Sequence, residues 1–226
     1  MTTGFRVDLH VHSRYSPDSR LELRAVGDQV SLLGLQGFAL TDHNTIDGHR
    51  ELREIAREFP RLLLVPGVEV STEEGHLLIY GVSELPPVRR PLAETIDWAR
   101  AHGAIAALAH PLRLAHGVGR RLTETVKVPV IETANGHNSE LDNAKAAVIA
   151  AHRGIPGIGG SDGHDVPELG RSYTELPTQT ANVDDFMEEL RTGRVLAGGT
   201  SLSVGGRVRL TLHTSLRRAA RGFRPI

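Results

Sequence analysis

The chain has no cysteine, so neither disulfides nor thiolate-bound zinc can contribute to it. That absence fits a reducing compartment. No apolar stretch approaches the roughly 18 residues that a membrane span needs. The first apolar run, Val7 to Val11, is brief and broken by Asp8 and His10, unlike the core of a signal peptide. A Walker loop is missing too, and no helix follows the glycines of IPGIGGSDGH promptly enough to make them a dinucleotide fingerprint. Internal repeats are absent. The expectation is a soluble, cytoplasmic protein with no membrane partner.

Charge is scarce in one place. From Leu190 onward there are eight arginines and no acid, so the first 189 residues carry 18 basic against 27 acidic groups, a balance of -9. An acidic body suits cation binding, whereas the basic end reads either as a solvated tail or as a patch for RNA, phosphate or an acidic partner. Aromatic residues, which would stack on nucleic-acid bases, do not interleave with those arginines except for Phe223.

The 226 residues suit one large domain. Seven apolar runs of strand length recur: Arg6–Val11, Gly37–Thr41, Leu62–Val68, Leu77–Gly81, Ile105–Ala109, Val130–Thr133 and Ile155–Gly159. Most are continuous rather than alternating, as for parallel strands buried on both faces. Between them lie helix patterns at Leu21–Leu33, Ile46–Phe59, Leu92–His102 and Ser139–Arg153, the last capped by Asn138 or Ser139 and stopped by Gly154. A further helix, Val183–Leu190, follows Asn182 as its cap. Alternating strand and helix predicts an α/β architecture; seven strands, with polar residues at their C-terminal ends, favour a barrel over the alternative of an open sheet. The glycine- and serine-rich segment after Ala197 predicts that a domain spanning residues 1–204 ends there, with a basic, flexible tail over 205–226.

What the chain has in plenty is metal-binding side chains at strand ends. Nine fall in five clusters: His10, His12 and Asp18; His43; Glu69 and His76; His110; and Asp162 with His164. All supply imidazole or carboxylate. Because strand side chains alternate, His10 and His12 point to one face and form a two-nitrogen clamp. Most of the clusters lie at or just past the C-terminal end of a strand, where barrel enzymes keep their chemistry; His76 instead opens its strand, and an antiparallel or irregular strand would bring it to the same end. Nitrogen and oxygen donors suit zinc, manganese or iron without choosing among them.

Taken in order, these motifs are HxH with a downstream Asp, TDH, a glycine–x–Glu, a His, AHP and SDxH. Over roughly Phe5 to Leu196 they resemble the PHP (polymerase and histidinol phosphatase) family of metal-dependent phosphoesterases. The resemblance implies a distorted seven-stranded (β/α)7 barrel and a trinuclear centre of two to three divalent ions. One ion would take His10, His12, Glu69 and Asp162; a second would share Glu69 and add His76 and His110; a third would take Asp18, His43 and His164. It also makes the GRSYTEL stretch, with a short helix and strand after it, the C-terminal extension of a compact stand-alone member. Only 33 residues separate His76 from His110, too few for the lid segment that family members acting on nucleotides or RNA ends often insert.

The expected reaction is hydrolysis of a phosphate ester, of a small molecule or nucleotide, by metal-activated water. Trimming of RNA or DNA ends, and hydrolysis of a non-phosphate ester or carbamate, are the alternatives. Asp42 reads either as a carboxylate orienting a metal-bound imidazole or as a strand-end turn. Arg113, Arg171 and Asn135 or His137 sit near strand ends, where they could hold a phosphate or donate a proton. His49, His102, His152 and His213 read as solvated; His116 is left open.

Overall fold

The structure is a computed structural model describing residues 4–176 and 180–201. The masked remainder includes the expected tail at 205–226 and His213, which therefore lie outside the described residues.

Among the described residues, nine strands form one sheet. In chain order they are β1 (Phe5–Val11), β2 (Gly37–Leu40), β3 (Leu63–Ser71), β4 (His76–Tyr80), β5 (Ile105–Leu108), β6 (Val130–Asn135), β7 (Gly157–Gly160), β8 (Ser172–Leu176) and β9 (Leu196–Gly199). The sheet order is β7-β6-β5-β4-β3-β2-β1-β8-β9. The sheet curls until the segment after β7 meets β1 again: Asp162 N donates to His10 O at 2.7 Å and His12 N to Gly163 O at 3.0 Å. Asp8 pins that closure, its two carboxylate oxygens accepting from Ser161 N at 2.7 Å and Gly170 N at 2.9 Å. The result is a nearly closed α/β barrel, with two strands beyond the seven expected because the C-terminal extension adds β8 and β9 to the sheet.

The pairing departs from an all-parallel barrel at β4, which runs antiparallel to both β3 and β5. The physical reason is the connection: only Thr72–Gly75 separate β3 from β4, and a parallel crossover needs about a dozen residues or more. This reversal carries His76, the first residue of β4, to the C-terminal end of its neighbours, opposite Ser71.

Helices α1 (Leu23–Leu32), α2 (His49–Ile55), α3 (Leu92–Ala101), α4 (Gly119–Thr125) and α5 (Glu140–Arg153) connect the strands, and α6 (Val183–Thr192) joins β8 to β9. Ser139 caps α5 by accepting from Asp142 N at 3.0 Å, and Gly154 ends it in the left-handed region at φ 64°. Sequence periodicity missed α4, whose GRRLTET buries only Thr123. It also extended α2 past both of its ends, and left His49 in solvent. That residue is in fact buried at the head of α2, where its Nε2 lies 2.8 Å from Gly67 O.

Three apolar clusters hold the layers together. The inner one, Leu63, Val65, Leu78, Tyr80, Ile105, Ala107, Val130 and Ile158, receives Phe186, Met187 and Leu190 of α6 as a plug. A second packs α1 and α2 on β1 and β2, and a third packs α3 on β3 to β6. No helix among the described residues is long and apolar enough to cross a membrane.

Candidate metal centre

Along β3 the residues of one face read Leu63, Val65, Gly67 and Glu69, so the strand that contributes apolar surface to the core ends in a fully buried carboxylate. Five imidazoles surround that carboxylate. Glu69 Oε2 lies 3.1 Å from His10 Nε2, 3.2 Å from His12 Nε2 and 3.0 Å from His43 Nδ1. Its Oε1 lies 2.8 Å from His76 Nδ1 and 2.9 Å from His110 Nε2. Asp162 Oδ1 is 3.2 Å from His12 Nε2 and 3.5 Å from His10 Nε2. Asp18 Oδ2 is 3.3 Å from His164 Nε2 and 3.5 Å from His43 Nε2.

All nine sequence-predicted donors are therefore gathered, each buried. Their donor atoms fall into overlapping sets whose members lie within 4.8 Å of one another: His10, His12, Glu69 and Asp162; His12, Asp18, His43 and His164; and His43, Glu69 and His76. The first coincides with the expected grouping. The other two add His12 and His43, and His110 joins through the Glu69 oxygen that also faces His76.

This donor set fits divalent cations. A carboxylate offers about four lone-pair directions, fewer than the five imidazoles around Glu69. His12 Nε2 and His43 Nδ1 are buried close to carboxylate oxygens yet lack hydrogen-bond geometry with any partner. Buried carboxylates normally require pairing or a metal.

The electrostatics agree. Burial works against the charged form of Glu69 and Asp162, yet His43 and His10 hold the first, and His10 and Arg113 the second, well below the usual carboxylate range. Burial also disfavours charge on His12, but contacts with Asp162 and Glu69 push it up to about 10. His43 and His110 are pulled by burial down to about 4 and about 3. The carboxylates thus demand positive charge that only some of the imidazoles can carry.

A surrounding layer fixes the rings. Glu132, also fully buried, places Oε1 2.9 Å from His10 Nδ1, and its Oε2 accepts from His110 N at 2.6 Å and from Asn135 Nδ2 at 3.0 Å. A carboxylate partner at Nδ1 makes that nitrogen the donor and leaves the Nε2 lone pair of His10 facing Glu69 and Asp162. Sequence reasoning missed Glu132; the signal was an acid inside the apolar run VIETAN. His12 Nδ1 meets Ser16 Oγ at 3.1 Å, and Ser16 Oγ accepts from His43 N at 2.9 Å. Asp42 accepts from Ser13 N at 2.6 Å and Ser13 Oγ at 2.7 Å, bracing the loop that carries Ser16 rather than touching His43's ring. The backbone is held in the left-handed region at Asp162 (φ 57°) and Asn44 (φ 54°), conformations that cost energy outside glycine.

At the rim, Arg113 Nη2 donates to Asp162 Oδ2 and to Asn135 Oδ1, each at 2.7 Å, and Nε donates to Asn138 Oδ1 at 2.9 Å. Its side chain is 27% exposed. His137 sits between Asp162 Oδ2 at 3.8 Å and Glu168 Oε2 at 3.3 Å. His116, exposed, stacks on His76 with ring centroids 4.6 Å apart. Arg171 stands apart from the other predicted rim residues. It immediately precedes β8, its carbonyl accepts from Thr200 N, and its side chain makes no hydrogen bond or ion pair with the nine donors.

The PHP domain model matches residues 8–114, which hold seven of the nine donors, and the model of the PHP-associated region matches residues 140–195, which hold the other two. The chain belongs to the PHP family. Two uncharacterized proteins of Methanocaldococcus jannaschii are its relatives: one is 33% identical across 47% of this chain and 67% of its own, the other 28% identical across 76% and 70%. Three solved structures share the fold. PsfC from Pseudomonas syringae superposes with a TM-score of 0.70 at 16% identity over 95% of this chain and 98% of that one. A candidate metal-dependent phosphoesterase from Bifidobacterium adolescentis gives 0.59 at 17% identity over 89% and 98%. An amidohydrolase from Chromobacterium violaceum, with bound sulfate and no metal, gives 0.62 at 21% identity over 84% and 97%. Family membership and the assembled donor set make the protein a metal-dependent hydrolase of the PHP family.

Proposed function

We propose that the protein hydrolyses a phosphate ester of a small molecule or nucleotide at a centre of two to three divalent ions, zinc, manganese or iron, held by His10, His12, Asp18, His43, Glu69, His76, His110, Asp162 and His164. The observation that carries this reading is Glu69, one carboxylate within 3.2 Å of five imidazoles and so shaped to bridge cations. When bound, such ions lower the pKa of water and neutralise charge on the ester oxygens.

The remaining work falls to the chain. Glu132 orients His10 through Nδ1, while Ser16 bridges His12 and His43. Arg113, held on three sides by Asp162, Asn135 and Asn138, keeps an exposed guanidinium edge for the non-bridging phosphate oxygens. His137 stands at the rim beside Glu168 and Asp162 and is assigned the proton for the departing alcohol oxygen; burial lowers its pKa, so the role depends on those two carboxylates to hold it protonated. Asp42 supports the loop after β1, and Arg171 has no part in this reading. The test is substitution of Glu69 by Gln: metal content and ester turnover should fall together with the helical circular dichroism unchanged. Normal turnover would refute the reading.

One observation favours a second substrate, a nucleic-acid end. β9 runs in the same sense as β1, and Ser201 just beyond it accepts from Asn143 Nδ2 at 3.0 Å, the same amide that donates to Asn135 O. Ser201, the last described residue, therefore stands at the metal-site face, and the sequence after it is rich in arginine. For such a substrate, binding should weaken steeply with added salt and on deleting residues 206–226, whereas a small ester should be indifferent to both.

A further inference from the structure

The end of the barrel away from the metal centre holds a groove of about 520 Å³, a volume within the range of small-molecule sites. It opens where β5 and β6 begin. Ile105, the first residue of β5, Val128, just before β6, and Ile96 of α3 line it as buried apolar wall. Arg100 of α3, Lys127, Arg153 at the end of α5 and Arg191 of α6 line it with positive charge. None of the nine metal donors is among its lining residues. The donor that follows β5, His110, stands five residues beyond Ile105, about 16 Å at the usual strand rise.

Four cations and no carboxylate line this groove. That is a local sorting of charge, because the first 189 residues carry 18 basic against 27 acidic groups. Two of the four are neutralised from outside the groove: Arg100 Nη2 lies 2.8 Å from Asp97 Oδ1, and Arg191 Nη1 lies 3.9 Å from Glu188 Oε2. Arg153 donates instead to main-chain carbonyls, Nη1 to Thr123 O and Nη2 to Val126 O, each at 2.5 Å, which fixes the guanidinium without cancelling its charge. Among the described residues neither Arg153 nor the exposed Lys127 has a carboxylate partner. Two positive charges thus stand uncompensated beside an apolar wall. The chain's own C-terminal segment has the wrong sign to answer them, since residues 202–226 carry six arginines and no acidic side chain.

We infer that this groove is a second ligand site, for a small organic dianion, a phosphate or a dicarboxylate, with an apolar body. The doubly charged head matches Lys127 and Arg153, whose remaining N–H donors suit phosphate or carboxylate oxygens. The body lies along Ile96, Ile105 and Val128. A ligand held here is not turned over, because no metal donor reaches it, and the site stands or falls independently of the phosphoesterase reading.

The experiment is isothermal titration calorimetry of the full-length protein with phenylphosphonate, phthalate and methylphosphonate, repeated on Lys127→Glu, Arg100→Glu and Arg113→Ala. Lys127 and Arg100 are exposed, so their variants should keep the melting temperature and the metal content of the parent. Phenylphosphonate, phthalate or both should fill one site whose Kd rises about tenfold or more in Lys127→Glu and in Arg100→Glu and holds in Arg113→Ala. Whichever probe binds identifies the head group. Methylphosphonate, which lacks the ring, should bind that site about tenfold more weakly than phenylphosphonate. Absence of any site sensitive to Lys127→Glu would overturn the proposal, as would equal affinity for the two phosphonates, which removes the apolar body. Binding lost in Arg113→Ala alone would place the probes at the metal end and overturn it too. Binding that emerges only after deletion of residues 202–226 would make the chain's own end the occupant, again against the proposal.

Discussion

The two ends of the barrel are built from the same strands with opposite chemistry. At the N-terminal end, Leu63, Ile105 and Val130 pack with Phe186, Met187 and Leu190 of α6 into a core without charge. At the other end, two and six residues farther along β6 and β3, Glu132 and Glu69 stand fully buried among imidazoles. One end supplies stability through apolar burial; the other concentrates groups whose burial costs stability unless cations offset it. The difference teaches that folding and chemistry are separable here along a single strand.

The sharpest way to break that separation is at Glu69. Replacing it by Gln should lower turnover by more than about a hundredfold, exceeding the loss typical of groups that merely orient ligands. In chelator, the same variant should melt lower than the parent, because the surrounding imidazoles favour the charge on Glu69 and its loss leaves the buried charge of His12 with one partner fewer; an unchanged melting temperature would show that the cluster contributes nothing to stability. Phe186→Ala is the converse experiment, removing a fully buried ring from the plug. Its expected cost is about 3–5 kcal/mol in urea unfolding, with kcat per folded molecule and metal stoichiometry unchanged.

Smaller effects sharpen the comparison. Glu132→Gln keeps the shape but weakens the carboxylate contact with His10 Nδ1, so metal affinity in a chelator competition should fall by about 10–100-fold. Retained affinity would assign Glu132 to structure alone. Last comes Ser139→Ala, which deletes the cap of α5 and should cost about 1 kcal/mol by thermal denaturation, leaving metal content untouched.

Much of the centre was legible because its donors interrupt or follow apolar runs. HxH, TDH, AHP and SDGH each announce a polar group where a buried strand ends, and the structure gathers eight of the donors into close sets, with His110 joined through Glu69. Glu132 was passed over although an acid stood inside an apolar run, because that signal names no partner; the partner, the ring of His10, comes from 122 residues away. His49 was assigned to solvent because helix periodicity says little about the first turn, and its partner, Gly67 O, comes from β3. The antiparallel β4 was foreshadowed by the short link between Ser71 and His76, whereas α4 has too few apolar residues to leave a periodic trace. What escaped the sequence is what depends on partners distant along the chain. The curled sheet also shows why: closure is made by Asp8 gripping the backbone at Ser161 and Gly170, a contact no local pattern encodes.

The central claim, that the imidazole-lined end of the barrel is a working multinuclear hydrolytic centre, is tested most directly by elemental analysis of the purified protein. The same samples, loaded with manganese, zinc or iron, are assayed for release of nitrophenol from 4-nitrophenyl phosphate and its bis-ester. The account predicts two to three metal ions per chain and turnover of a phosphate ester. A chain that retains no metal, or that holds metal and cleaves neither ester, would contradict it.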